Sequence, residues 1–162
     1  MALTLNEILI RMIKWIDLFN SISDSECIEL SKDFILQYYP RWNLIIREWQ
    51  KLEKIYILKN WRLEARKSNW LWSIKLWEIA KSQIFWEISY LRNRPAMATV
   101  ICLDDCDVWE LSIVNFDRFL KKYPNIMDKV MSTLVQREDQ NINRVTESSS
   151  SDDLLEDLKI VL

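Results

Sequence analysis

A chain of 162 residues without one glycine lacks the only residue that enters the left-handed backbone region without a steric penalty. Tight hairpin turns ask for that region, so the lack weighs most on a chain built from many short strands. At the usual glycine share of about 7%, roughly 11 are expected, and drawing none by chance is about a one-in-10⁵ event. Nine tryptophans accompany the deficit. Histidine is absent as well, which removes the commonest general base and a favoured metal ligand, so a histidine-dependent triad or zinc site is excluded.

The pattern along the chain is nonetheless that of a sheet protein. Apolar residues Leu5, Ile8, Leu9, Met12, Ile13 and Ile16 recur at helical spacing, which predicts an amphipathic helix from Leu3 to about Phe19. Ser23 with Glu26 forms a capping-box signature for a second, short helix through Cys27, Ile28 and Leu30. From Phe34 to about Leu111 the runs shorten to strand length: Asn43–Arg47, Lys54–Leu58, Arg62–Arg66, Ser73–Leu76, Ala98–Cys102 and Asp107–Leu111. Their spacing of roughly ten residues is that of an antiparallel sandwich or roll. Helical spacing returns near Ser112, over Asn115–Lys122 and from Pro124 to about Val145, with Pro124 suited to a first turn. Thr146–Asp153 is low-complexity and predicted disordered. The expected organisation is N-terminal helices over 1–33, a roll and following helix over 34–123, a helix over 124–145 and an acidic tail over 146–162.

The length suits one domain. With 22 basic and 24 acidic residues, the balance singles out no nucleic-acid partner. No apolar run approaches the roughly 18 residues of a membrane span, and the N-terminus has no leader pattern. Three cysteines, Cys27, Cys102 and Cys106, suit a reducing cytoplasm, the expected location.

The turns conflict with this pattern. Asn60-Trp61 and Asn69-Trp70 stand between strands where a hairpin favours Asn-Gly, and Pro40-Arg41-Trp42 reads as a turn whose glycine is replaced.

The segment from about Ile16 to Leu134 resembles the cyclic nucleotide-binding domain shared by Crp/Fnr-type regulators and the regulatory subunits of cyclic-AMP-dependent kinase. Ile16-Asp-Leu-Phe-Asn-Ser-Ile-Ser is similar to the family's entry, and Tyr39-Pro-Arg-Trp-Asn-Leu-Ile-Ile-Arg-Glu-Trp49 to Tyr-Pro-x-Gly-x-x-Ile-x-x-x-Gly. Tyr56-Ile-Leu-Lys-Asn-Trp61 resembles Tyr-x-Ile-x-x-Gly, and Phe85-Trp-Glu-Ile-Ser-Tyr-Leu91 resembles Phe-Gly-Glu-x-x-Leu-Leu, followed by Arg94-Pro-Ala-Met-Ala-Thr-Val100. Val108–Ser112 and Phe116–Pro124 resemble the last strand and the helix after it. The resemblance implies a mainly β fold, an eight-stranded jelly-roll-like β-roll with two helices before it and two after.

Trp42, Trp49, Trp61 and Trp86 occupy the family's glycine positions, while Trp70, Trp72 and Trp77 lie in turn-like contexts; Trp15 and Trp109 give no such indication. This predicts UGA codons that specify glycine in the source organism and are rendered as tryptophan here. Many isoleucines and few alanines suit the AT-rich genome in which codons are reassigned. The alternative is genuine tryptophan in a relic or engineered chain.

By resemblance, Phe85, Trp86, Glu87, Ile88 and Ser89 begin a phosphate-binding cassette in which a short helix offers N–H groups to the cyclic phosphate and Glu87 holds the ribose 2′-hydroxyl. The implied ligand is cAMP or cGMP. The family then reads Arg-Ser-Ala or Arg-Thr-Ala, whereas this chain reads Ala96-Met97-Ala98, leaving both phosphate-recognising positions apolar; Arg94 lies two residues earlier, before Pro95. Losing a desolvated charge pair costs about 2–5 kcal/mol, which weakens the expectation of a cyclic nucleotide.

Cys102 and Cys106 read as incidental thiols, and three cysteines without histidine do not complete a four-ligand zinc site. Asp104, Asp105 and Asp107 read as a solvated acidic turn. Trp72-Ser-Ile-Lys-Leu-Trp77 completes no phosphate loop even with glycine restored, and no nucleophile–base pair is evident, so no enzyme is expected. Residues 146–162 are too short and acidic for a DNA-reading unit. Two functions follow: a stand-alone sensor domain signalling through its C-terminal helices, or a degenerate domain that has lost its nucleotide and binds a protein partner, or a second copy, through 124–145 and the tail.

Overall fold

The computed structural model describes residues 2–68, 73–85, 89–90, 92–132, 135–136 and 139. Helix α1 (Leu5–Lys14) starts at Thr4, whose N–H donates to the Glu7 carboxylate at 2.7 Å while Thr4 Oγ1 accepts from the Glu7 N–H at 3.3 Å. The helix expected to run to Phe19 ends instead at Lys14, with Trp15 as its C-cap. Ile16 is extended (φ −77°, ψ 118°), and Asp17–Phe19 form a 3₁₀ turn. On an unbroken helix Leu18 would lie roughly 140° around from Ile13; the break lets Ile13, Ile16, Leu18 and Phe19 all be buried. Helix α2 (Asp24–Ser31) carries the Ser23–Glu26 capping box that the sequence indicates.

Eight strands follow: β1 (Phe34–Tyr39), β2 (Leu44–Ile46), β3 (Lys54–Asn60), β4 (Leu63–Ser68), β5 (Ser73–Ile79), β6 (Ile84–Phe85), β7 (Thr99–Cys102) and β8 (Cys106–Ser112). They form two four-stranded antiparallel sheets, ordered β1-β8-β3-β6 and β2-β7-β4-β5. This is the expected β-roll with flanking helices.

Alternation along each strand divides the core in two. Tyr56 and Leu58 of β3, with Cys106 and Val108 of β8, face the interior of the roll together with Ile46, Leu63, Ala65 and Val100. The intervening Ile55, Ile57 and Leu111 face the helices and pack with Phe19, Phe116 and Leu120. Helix α3 (Ile113–Lys122) is capped by Ser112, which accepts from the Asn115 N–H at 3.1 Å. It is tied to the N-terminal helices by Phe19 against Phe116 (6.3 Å, edge-on) and Asn115 Nδ2 donating to Asp33 at 3.1 Å.

Helical backbone covers 124–132, beginning at Pro124 as expected, and recurs at 135, 136 and 139. The rest of the predicted helix to 145 and the tail 146–162 lie outside the described residues. No described helix is long and apolar enough to cross a membrane.

Candidate functional site

The site expected from the sequence begins where β6 ends. Phe85 pairs with Tyr56 across the sheet, and their rings stack at 5.5 Å. Trp86, Glu87 and Ile88 lie outside the described residues. Ser89 and Tyr90 are helical, and Ser89 is buried. The short helix closes in a Schellman pattern: the Arg94 N–H donates to the Ser89 carbonyl at 2.9 Å and the Asn93 N–H to Tyr90 at 3.1 Å. Asn93 is left-handed (φ 49°), a place asparagine tolerates better than most residues. Pro95 follows, as it commonly does after such a cap.

This geometry separates the predicted site residues. Arg94 is exposed, whereas Ala96 and Ala98 are fully buried and Met97 is half-buried. The Ala96 N–H donates to the Gln50 carbonyl at 2.9 Å, and its carbonyl accepts from the Trp49 N–H at 2.7 Å. Thr99 Oγ1 accepts from the Glu48 N–H at 3.1 Å, so the segment entering β7 is fastened to the 47–50 turn.

One group in the roll had no signal in the sequence. Glu110 is buried on β8; it accepts from the Tyr39 hydroxyl and from Lys54 Nζ at 2.5 Å. Burial, and then the Glu110 and Glu53 charges, push the Tyr56 hydroxyl up to about 12. Tyr39 is raised by burial and by its bond to Glu110. Burial pushes Cys102 up to about 12 and also raises Cys106. Strand alternation alone would have placed Glu110 inward, but nothing in the sequence showed which side of β8 faces in.

The acidic turn is occupied by protein donors. Arg62 binds Asp104 through Nε at 2.9 Å, the Arg41 N–H donates to Asp105 at 2.9 Å, and Asn60 Nδ2 to Asp107 at 3.2 Å.

The tryptophans fall into two groups. Trp42, Trp49 and Trp61 hold φ of 70°, 68° and 76° and are 59%, 66% and 64% exposed. Trp42 and Trp49 are third in turns closed by Asn43 N–H to Pro40 (3.0 Å) and Gln50 N–H to Arg47 (3.0 Å), the position that a type II turn reserves for glycine. Trp109 instead packs edge-on to Phe34 at 6.4 Å, and Trp15 lies under Lys81 Nζ at 5.4 Å. Trp77, expected in a turn-like context, lies inside β5 opposite Ala65, next to a register shift. A strand position asks for no positive φ, so the backbone gives no reason for glycine there. Trp70 and Trp72 lie outside the described residues.

The family profile described as "Cyclic nucleotide-binding domain" matches residues 36–123, more than half of the chain. The chain belongs to the cyclic nucleotide-binding domain family, a regulatory class rather than a catalytic one. Among solved structures it is similar to the regulatory domain of Toxoplasma gondii PKA with cAMP (25% identity over 70% of this chain and 44% of that one, TM-score 0.64). It is similar in fold to the Thermus thermophilus catabolite activator protein (15%, covering 76% and 58%, TM-score 0.68). The same holds for the regulatory subunit of a cAMP-independent protein kinase A from Trypanosoma cruzi bound to guanosine (17%, covering 83% and 46%, TM-score 0.71). The chain thus spans less than two thirds of the length of each. No curated protein sequence matches it.

Proposed function

We propose that this chain is a ligand-responsive regulatory domain that takes a nucleotide-like molecule at residues 85–98 and passes the event to its C-terminal helices. The observation that carries this reading is Tyr90. Its ring meets Phe116 of α3 at 5.6 Å, and its hydroxyl donates to Asp117 at 3.0 Å. Any ligand that shifts the 89–93 turn therefore pulls on α3. The ligands named for the T. gondii and T. cruzi neighbours, cAMP and guanosine, give the class to test first. A protein partner, or a second copy, would be engaged through 124–145.

A thermal-shift screen with cAMP, cGMP and guanosine tests the proposal. Ligand at 100 times Kd stabilises the fold by about 2.7 kcal/mol, a rise of roughly 5–10 °C for a chain of this size. The rise should come with slowed hydrogen exchange over 113–122. Stabilisation by none of the three favours the second reading, a nucleotide-free interaction module, which the apolar Ala96 and Met97 support.

We also infer that positions 42, 49, 61 and 86 carry glycine in the source organism, UGA being read there as glycine. The left-handed backbone at Trp42, Trp49 and Trp61 supports this independently of the motifs that suggested it. Tandem mass spectrometry of the native protein decides it: glycine at those positions is expected, and tryptophan overturns the inference.

A further inference from the structure

We infer that two copies of this chain pair through strand β1, edge to edge and antiparallel, about a twofold axis at Gln37; this depends neither on the ligand reading above nor on a contact through 124–145. A sheet edge exposes a row of unpaired N–H and C=O groups, and proteins ordinarily blunt it with a short strand, a bulge or a charge. Among the described strands, three of the four edge strands are blunted in this way. Strand β2 has three residues and a register shift against β7, and β6 has two residues. Strand β5 carries Lys75 and Glu78, ion-paired at 3.2 Å. Strand β1 has none of these devices. Its six residues, Phe34-Ile-Leu-Gln-Tyr-Tyr39, hold no charge and no proline, and they match β8 at six successive positions without a shift. Among the described residues no strand lies on its other side, and Ile35, Leu36 and Tyr38 are exposed.

The sequence of the strand selects a second copy as the occupant. In an antiparallel pair, residues directly opposite one another either exchange hydrogen bonds or both turn theirs away, and the two kinds alternate along each strand. A residue can therefore lie opposite its own copy but not opposite the copy of the residue next to it, so a twofold axis between two β1 strands passes through a residue. An axis at Gln37 sets Leu36 opposite Tyr38 and Ile35 opposite Tyr39, aliphatic against aromatic on both faces, a favourable cross-strand combination. It also sets Asp33 of each copy opposite Arg41 of the other, so opposite charges close the pair at both ends. An axis at Leu36 would put Asp33 against Tyr39, and one at Tyr38 would put Arg41 against Ile35. Arg41 is exposed. Asp33 is half-buried and accepts from Asn115 at 3.1 Å and Arg118 at 3.4 Å, which leaves carboxylate lone pairs for another donor. Gln37 is exposed and uncharged, so its two copies meet at the axis without repulsion.

Sedimentation equilibrium of the full chain beside Gln37→Lys and Gln37→Glu tests this, with thermal melts to show that each variant folds. The parent is expected to be partly dimeric at about 100 µM, as suits a small, transient interface. Either variant alone is expected to weaken the dimer tenfold or more, because like charges then face each other across the axis at about 4.5–5.5 Å between Cβ atoms. An equimolar mixture of the two variants should recover most of that loss, since opposite charges then meet. Hydrogen exchange over 34–39 should slow as the parent is concentrated, a readout that holds even if a variant fails to fold. A parent that is monomeric at about 100 µM overturns the inference, and protected β1 amides in such a monomer would mean that another segment of the chain covers the edge. A dimer that both variants leave intact also overturns it and moves the contact elsewhere, as to 124–145. A mixture no tighter than either variant alone overturns the axis at Gln37.

Discussion

Trp49 donates its N–H to the carbonyl of Ala96 at 2.7 Å while holding φ at 68°. The 47–50 turn therefore has two roles: it reverses the chain after β2, and it anchors the buried 96–98 segment that leads into β7. Relieving the turn should tighten that anchor.

Replacing Trp42, Trp49 and Trp61 by glycine should accordingly stabilise the protein. Left-handed backbone costs a residue with a Cβ about 1–2 kcal/mol, partly offset by the greater freedom of unfolded glycine. A net gain of about 1 kcal/mol per site, or roughly 2–4 °C in Tm, is expected from thermal melts. Alanine at the same positions should give no gain, because it keeps the Cβ. Equal gains from alanine and glycine would mean that loss of the exposed indole, not backbone relief, is responsible.

Those three tryptophans also show how much of the molecule was legible in the sequence. The conflict between strand spacing and glycine-free turns pointed to Trp42 and Trp61, and the family's glycine pattern to Trp49, because turn geometry depends on only a few residues; the left-handed Ser82 and Asn93 carried no such signal. Family motifs placed the roll and the helix beginning after Ser112 for the same local reason. The break at Ile16 was not legible, since its apolar stripe continues the helical period and only packing of Leu18 and Phe19 bends the chain. The Glu110–Lys54–Tyr39 group joins residues far apart in sequence, and Trp77 occupies a strand although its neighbours resemble a turn.

Lys54→Met should cost about 1–3 kcal/mol, because it leaves the Glu110 carboxylate buried with the Tyr39 hydroxyl but without the Lys54 ammonium. The figure sits below that of a fully buried pair because the Lys54 side chain is 47% exposed. The double variant Lys54→Met/Glu110→Gln should recover much of the loss, since no charge is then stranded. Urea midpoints of the four proteins would show this; a double variant as weak as Lys54→Met alone would place the loss in packing instead.

Stability should be nearly flat from about pH 6 to 8, where a histidine would ordinarily titrate and this chain has none. It should then fall on the alkaline side. Burial raises Cys102 from 9.0 to about 12 and Tyr56 from 10.0 to about 12. Between the unfolded and folded values the unfolded chain has already released protons that the fold retains, so stability declines as pH rises. It is fully present below about pH 9. Tyr56→Phe should flatten the part of this limb above pH 10, read from urea midpoints; an unchanged limb would show that Tyr56 does not contribute to it.

Tyr90 tests the connection between site and helix. Its hydroxyl is pushed up to about 12, first by burial and then by its bond to Asp117, while Asp117 is held below its ordinary value by Lys121 and then by Tyr90. Tyr90→Phe keeps the ring on Phe116 and removes only the hydroxyl, which should cost about 0.5–1.5 kcal/mol. Tyr90→Ala also removes the edge-on ring contact and opens space beside α3, so its cost should reach about 2–4 kcal/mol. The separation between the two effects is the test of coupling. If the ring carries the signal, ligand should still slow hydrogen exchange over 113–122 in Tyr90→Phe but not in Tyr90→Ala, even where both proteins bind it. Protection persisting in Tyr90→Ala would move the connection to another contact and leave Tyr90 with a packing role alone.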